Sequence, residues 1–486
     1  MEAGRRGQAE LDRYTDWGGA LCSFLAVSIV ALIYLDEFPL RLSLYVGGFA
    51  SIAFAYFAYA RADHDFDVLH PSFGLFLLVF LYSLSSALFI ETEKTTFYGE
   101  SLAPEVYPLY YLTCIAGVAG LACGLAARRF SGVERSPALP VTDAQNAKLR
   151  GTMLWCCLVL CGLFLPYIAS KFNFLAVRSY YETALSSRVE RMGVDSFGTM
   201  EVLTQYLPLV LLQAVCAWAI QDSALAAWKR MLALIALAAF AATAFLAGER
   251  GTILYSGLVV LAYRQFRIAR VRLVFAVVAG AVAYFLMSII PVLRSSSDPV
   301  QMWRTFVDTL ATRGLSDLSL TYNGELATAT NLARHIQGMI TGEADFTYGR
   351  TLVNDFLVWI PRILYADRPL PSSELFIATF YPGVREQGGG YGFFILQEGY
   401  WAFGIPGAFV SMAGFGWIVD GIYRRMWRWQ GYDVAVFLYA ALYTDVVMSA
   451  VRSGIIGSFK AAILHAVPFG LVLLVHWMRT RWQAPR

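Results

Sequence analysis

Charge is what this sequence has least of. Aspartate, glutamate, lysine and arginine make up 15% of its 486 residues, and 58% are hydrophobic. An ordinary soluble domain is about one quarter charged. A chain this poor in charge cannot cover its apolar side chains with a polar shell, which excludes a soluble globular protein and points to a surface facing lipid. The net charge of +3 is spread along the chain, so no basic patch suits nucleic acid. The seven cysteines, Cys22, Cys114, Cys123, Cys156, Cys157, Cys161 and Cys216, all fall inside apolar runs. That placement excludes a disulfide framework and reads as packing. Cys157 and Cys161 share a helix face, with no histidine nearby to make them a metal or catalytic pair. The glycine run 388–392 lacks a following Lys-Ser or Lys-Thr, so it is not a phosphate-binding P-loop. No cleavable signal opens the chain: the first apolar run starts at Trp17 and reads as a retained span.

Apolar runs, by contrast, are abundant. A helix needs about 20 apolar residues to cross a bilayer. By that measure about twelve spans are expected, at 17–35, 41–60, 71–90, 108–127, 151–169, 202–220, 230–247, 251–263, 273–291, 402–420, 432–450 and 458–477. The run 251–263 is short, and the break at 248–251 joins it to its predecessor as an interrupted pair. Basic residues collect before the first span, between the fourth and fifth, and after the sixth, eighth, tenth and twelfth. Twelve alternating spans put all these clusters on one side, and the excess of Arg and Lys marks that side as cytoplasmic. Both termini are therefore expected in the cytoplasm. The expected fold is all-α and polytopic, in three parts: a helix bundle over 1–290, a large extracytoplasmic loop over 291–401, and membrane helices over 402–486.

A loop of that length is usually functional or disordered, and this one is not low in complexity. Residues 303–310 and 326–340 carry apolar side chains at helical spacing. The run 352–364 is too short to span and contains Asp355, Pro361 and Arg362, as an interfacial or re-entrant helix would. Arginine is its dominant base, since no lysine occurs between Lys229 and Lys460. A guanidinium fork suits planar, bidentate phosphate recognition better than an ammonium does. The competing reading pairs these arginines with Asp298, Asp308, Asp317, Glu343 and Asp345 on solvated helices.

Several groupings can carry chemistry. Gly248-Glu249-Arg250-Gly251 stands at the outer end of the seventh span, and Arg294 just outside the ninth. Arg250 and Arg294 can grip a pyrophosphate, or snorkel to the interface with Glu249 pairing Arg250. Tyr348-Gly349-Arg350, Ile360-Pro361-Arg362 and Arg368-Pro369 follow in the loop. The glycine run then leads to Glu398-Gly399-Tyr400-Trp401-Ala402-Phe403-Gly404 at the tenth span. Candidate bases are Glu325, Asp355 and Glu398, with His335 beside Arg334 as a histidine alternative. Arg452, in the outer turn before the last span, is either a phosphate contact or an interfacial anchor. Asp63-His64-Asp65-Phe66-Asp67 alternates carboxylates but lacks the glycine and distal glutamate of a calcium loop, and reads as a solvated acidic turn.

Over 248–407 these motifs, in this order, resemble the Wzy-type O-antigen polymerases. One departure is Arg368, where lysine is as frequent an expectation. The resemblance implies a GT-C-like architecture and an enzyme of the bacterial inner membrane that acts on its periplasmic side without metal or other cofactor. Its substrates would be two polyprenyl-pyrophosphate-linked oligosaccharides, one the donor and one the acceptor. The growing glycan moves to the acceptor, and polyprenyl pyrophosphate leaves. Arg250, Arg294 and Glu398 are then the catalytic set. Tyr348, Arg350, Arg362, Arg368, Glu325, Arg334, His335 and Arg452 bind substrate. A chain-length regulator protein is a candidate partner. Transfer to another lipid or to protein, as in the O-antigen ligases, uses the same donor chemistry. A transporter or flippase is the further alternative, expected to carry inverted repeats and charges near the membrane midplane.

Overall fold

The structure, a computed structural model, describes residues 38–61, 67–130, 139–164, 198–247, 250–272, 326–360, 364–365, 367–386 and 391–483, with isolated positions between 274 and 311. Among the described residues the regular elements are helical, apart from one isolated bridge between Thr95 and Ser101. In chain order they are α1 (Phe38–Arg61), α2 (Pro71–Glu93), α3 (Val106–Phe130), α4 (Asp143–Leu163), α5 (Gly198–Gln221), α6 (Ala227–Ala247) and α7 (Arg250–Tyr263). After the large loop begins come α8 (Thr330–Thr341), α9 (Arg350–Leu357), α10 (Ser372–Phe380), α11 (Pro382–Glu386), α12 (Ile395–Trp429), α13 (Asp433–Tyr443), α14 (Ala450–Ser453) and α15 (Ile455–Gln483). Among the described residues, six helical stretches are long and apolar enough to cross a membrane: Phe38–Ala58, Pro71–Glu93, Val106–Ala127, Ile395–Trp429, Asp433–Ser453 and Ile455–Thr480. The chain is thus a helical protein suited to a membrane. Expected spans 17–35 and most of 273–291 lie outside the described residues.

Local chemistry sets several helix ends. Pro71 opens α2, where its missing N–H costs nothing, and the His70 ring accepts from the Ser72 amide. Thr142 and Gln145 form a reciprocal capping box at the start of α4. Two stretches widen into π-helix: Arg264–Ile268, which ends α7, and Thr444–Ser449, which joins α13 to α14.

The chain divides into two compact units. The first comprises Met1–Glu134, Leu320–Val353 and Gly392–Gly421; the second comprises Arg135–Ser319, Asn354–Tyr391 and Ile422–Arg486. Segment 291–401 therefore contributes to both. In the first unit, α8 and the 3-10 turn Leu326–Ala329 before it pack on α2 and α3. Leu332, Ala333 and Ile336 are fully buried there. The apolar spacing read over 326–340 thus marks a packed helix, not a solvated one. Gly120 and Gly124 of α3 face α12 so closely that an added Cβ would lie 2.1 Å from the Phe409 carbonyl oxygen and 1.9 Å from that of Ala413. Glycine is required at both positions for this backbone approach.

Within each unit, polar contacts tie loops to helices. In the first, the Ala103 amide donates to Gln337 and the Phe97 amide to Thr330, while His70 at the start of α2 faces Asp420 inside α12 at 3.8 Å. In the second, Asn146 brackets the turn before α13, donating to the Gly431 carbonyl and accepting from the Asp433 amide. Asp433 in turn takes Arg267 at 2.8 Å and Arg150 at 3.2 Å.

Candidate functional site

The most unusual backbone in the first unit lies inside α12. Phe403 (φ −147°, ψ 23°) and Gly404 (φ 67°, ψ −148°) break the helix. Residues 395–402 form a short arm that folds back against the long arm beginning at 405. The two arms touch at glycines: a Cβ on Gly407 would fall 2.1 Å from the Gly399 carbonyl oxygen. The short arm is about 12 Å long, too short to cross a bilayer. Its residue Leu396 packs at Gly117, near the middle of α3. The expected span at 402–420 therefore begins one residue before the break, and the glutamate motif ahead of it is the other half of a helical hairpin.

Side chains fix this hairpin in place. Gln397 accepts from the Phe394 amide at 2.7 Å and donates to the Asn331 carbonyl at 3.1 Å. Asn331 donates to the Gly392 carbonyl at 2.6 Å. At the tip, the Thr347 and Tyr348 amides donate to the Trp401 and Ala402 carbonyls, and the Trp401 indole donates to the Asp345 carbonyl. These bonds satisfy carbonyls that the end of the short arm leaves open. To reach them the chain takes left-handed conformations at Tyr348 (φ 48°) and Gly349 (φ 84°). The first is uncommon for a tyrosine, and its two-residue grip on the tip holds it.

Five sequence-predicted site residues thereby belong to the first unit. Glu398 is buried in the short arm. Tyr348 is 77% exposed at the tip, and Arg350 stands exposed at the start of α9. His335 is wholly buried on α8, its ring edge-on to Trp401 with centroids 4.6 Å apart. Burial, and secondarily the neighbouring Arg334 charge, push the His335 imidazole down to about 3, so it is neutral at physiological pH. Arg334 reaches both Glu343 oxygens, at 2.7 and 2.8 Å, which is the salt-bridged alternative of the sequence reading.

The second unit holds Arg250, Arg368 and Arg452. Arg250 is the first residue of α7, and Arg452 lies in α14; α7 packs on the π-helical turn that α14 continues. Arg368 donates to the Val358 carbonyl at 2.9 Å and the Ile360 carbonyl at 3.0 Å, tying down the chain just after α9. Asp355 is buried and accepts from the Ser372 amide at 2.6 Å and from the Ser372 hydroxyl, anchoring the first turn of α10. Burial raises its carboxyl, against those two bonds. This is a structural carboxylate. Arg294, Glu325 and Arg362 lie outside the described residues, as do Asp63 to Phe66. Asp67 is buried, not solvated, and its carboxylate accepts from the Leu69 amide.

Sequence reasoning missed the buried charges. It singled out none of the charges within the spans, yet Arg41 and Glu91, Asp420, and Asp445 with His465 are buried or half-buried inside apolar helices. The available signal was each lone ionisable residue within an apolar run. It also missed Asn331, Thr347 and Gln397, whose amide and hydroxyl groups hold the hairpin. Among the described residues no group of three or more His, Cys, Asp or Glu could hold a metal ion. Neither a protein family, a curated protein nor a solved structure matches the chain.

Proposed function

We propose that the protein is a membrane glycosyltransferase that polymerises polyprenyl-pyrophosphate-linked oligosaccharides, resembling the Wzy-type polymerases. In this reading it has about twelve spans, a GT-C-like architecture and cytoplasmic termini, and it works at the outer face of a bacterial inner membrane. The observation that carries the reading is the helical hairpin. It buries the Glu398 carboxylate in a short arm and sets Tyr348 and Arg350 beside its tip.

The chemistry asks for little more. The acceptor hydroxyl attacks the anomeric carbon, and the carbon–oxygen bond to pyrophosphate breaks through an oxocarbenium-like state. A carboxylate, here Glu398, takes the hydroxyl proton. The electron pair of the broken bond leaves on polyprenyl pyrophosphate, and guanidinium groups stabilise that charge. Arg350 is the candidate from the hairpin's own unit. Arg250 and Arg294 are the candidates from sequence, and no metal is called for.

Transfer to another lipid or to protein is the sibling reaction. A transporter is the second reading, and two observations favour it: a broken helix and ionisable groups buried inside apolar helices. One experiment separates all three. The purified protein is reconstituted in liposomes with a fluorescent polyprenyl-pyrophosphate oligosaccharide. Longer glycans support the polymerase, and transfer to an added lipid acceptor supports the ligase. Translocation of intact substrate without any product rejects both.

A further inference from the structure

The second unit contains a titratable pair that the glycan chemistry does not use. Asp445 lies in the π-helical turn Thr444–Ser449, inside the apolar stretch Asp433–Ser453. Its Oδ2 meets Nδ1 of His465, which belongs to the apolar stretch Ile455–Thr480. Tyr255 of α7 stacks parallel to the His465 ring, at 7° and 6.5 Å between centroids. Tyr255 is itself buried. Three helical segments of different sequence origin thus converge on one carboxylate–imidazole contact, well inside both apolar stretches.

Ionisable groups at such depth are costly, and they mark proton or ion pathways when they occur. π-Helical turns inside α-helices also gather at functional sites. The pair offers two protein ligands, fewer than a metal centre normally takes from its protein. We propose that Asp445 and His465 form a proton-binding site within the membrane, a function independent of the glycan-transfer reading.

The accounting is simple. With one exchangeable proton the pair is neutral overall, either as carboxylate and imidazolium or as carboxylic acid and imidazole. When that proton leaves for the aqueous phase, the aspartate stays ionised and the neutral imidazole donates its remaining N–H to it, for a net charge of −1. A lone charge in an apolar setting is disfavoured, so the loaded state is the resting one. His465 keeps 18% of its side chain exposed against 5% for Asp445, so the imidazole is the more accessible member of the pair. Other charged and titratable groups described on the elements packed around the turn include Tyr263 on α7, Asp433 and Tyr439 on α13, and His476 and Arg479 on α15. Tyr255 faces the pair from α7, and Tyr443 ends α13. Arg452 lies on α14, and Lys460 precedes His465 on α15 by about a turn and a half.

The test uses the full chain in lipid nanodiscs. Proton release is counted with an indicator dye as the pH is stepped from about 5 to 9, a range that brackets imidazole titration in general. Infrared difference spectra are recorded alongside. Wild type should release about one proton per chain more than Asp445→Asn or His465→Gln, and the infrared change should involve a carboxyl group and an imidazole ring. The reciprocal variant Asp445→His/His465→Asp should recover the missing proton, which a merely structural contact would not require. Equal proton counts in wild type and His465→Gln, or a wild-type infrared titration without carboxyl or imidazole change, overturn the site. The wild-type spectrum decides the matter even if an aspartate variant fails to fold.

Discussion

Arg41 meets Glu91 fork to fork: Nε–Oε1 and Nη2–Oε2 are both 3.1 Å, and both residues are buried. Lys94 adds a contact to Oε2 at 2.9 Å, and the Tyr111 hydroxyl donates to Oε1 at 3.4 Å. The pair binds the start of α1 to the end of α2. Removing one member strands the other's charge, which costs about 3–5 kcal/mol. Glu91→Gln should therefore lower the midpoint of thermal unfolding in detergent sharply. Lys94→Ala should barely move it, because that lysine is more than half exposed. Equal shifts would refute the assignment.

The hairpin makes a steric prediction. Gly407→Ala pushes a Cβ onto the Gly399 carbonyl, whereas a Cβ on Gly414 of the same helix meets nothing within 4 Å. Overpacking of this kind costs about 1–3 kcal/mol. Alanine in an open helical position gains up to about 1 kcal/mol over glycine. Unfolding midpoints of the two variants should move in opposite directions.

His335 sets an acid limb. Its folded value lies below the ordinary 6.5, at about 3, so the unfolded chain takes up the proton first. The contribution is complete above about pH 6.5 and is lost as pH falls toward about 3. His335→Phe keeps a ring against Trp401 and removes the titration. Over that window its stability should fall less steeply than wild type in parallel melts, and identical slopes would rule His335 out as the source.

The catalytic assignment is tested by near-isosteric change. Glu398→Gln should keep the fold and lower glycan extension by about 10²–10⁴-fold, the usual worth of a general base. Wild-type turnover would remove Glu398 from that role. Arg250→Ala should abolish extension in protein that still inserts, and normal-length glycans would count against it.

Arg334 and Arg350 should separate. Arg334 is held by both Glu343 oxygens and keeps only 11% of its side chain exposed, so Arg334→Ala should lower the melt through lost packing as well as lost charge. Arg350→Ala should reduce donor binding by direct assay while leaving the melt unchanged. If Arg334→Ala is the variant that loses binding, the roles are exchanged.

The amino-acid sequence by itself determined where helices form. Twenty apolar residues in a row make a helix in lipid whatever surrounds them, and the long described helices overlap the apolar runs, with ends set by neighbours such as Thr142 and Gln145, whereas the short helices α10 and α11 lie on none of those runs. It also made the loop arginines and Glu398 visible, because charge stands out in so apolar a chain. Tertiary structure alone decided which of them come together. The fold-back at Gly404 depends on Gly399 and Gly407 touching through space. The Arg41–Glu91 and Asp445–His465 pairs join residues 50 and 20 positions apart on different helices. Contacts between helices follow from packing and the cost of stranded charge, and neither leaves a local pattern for the sequence to display.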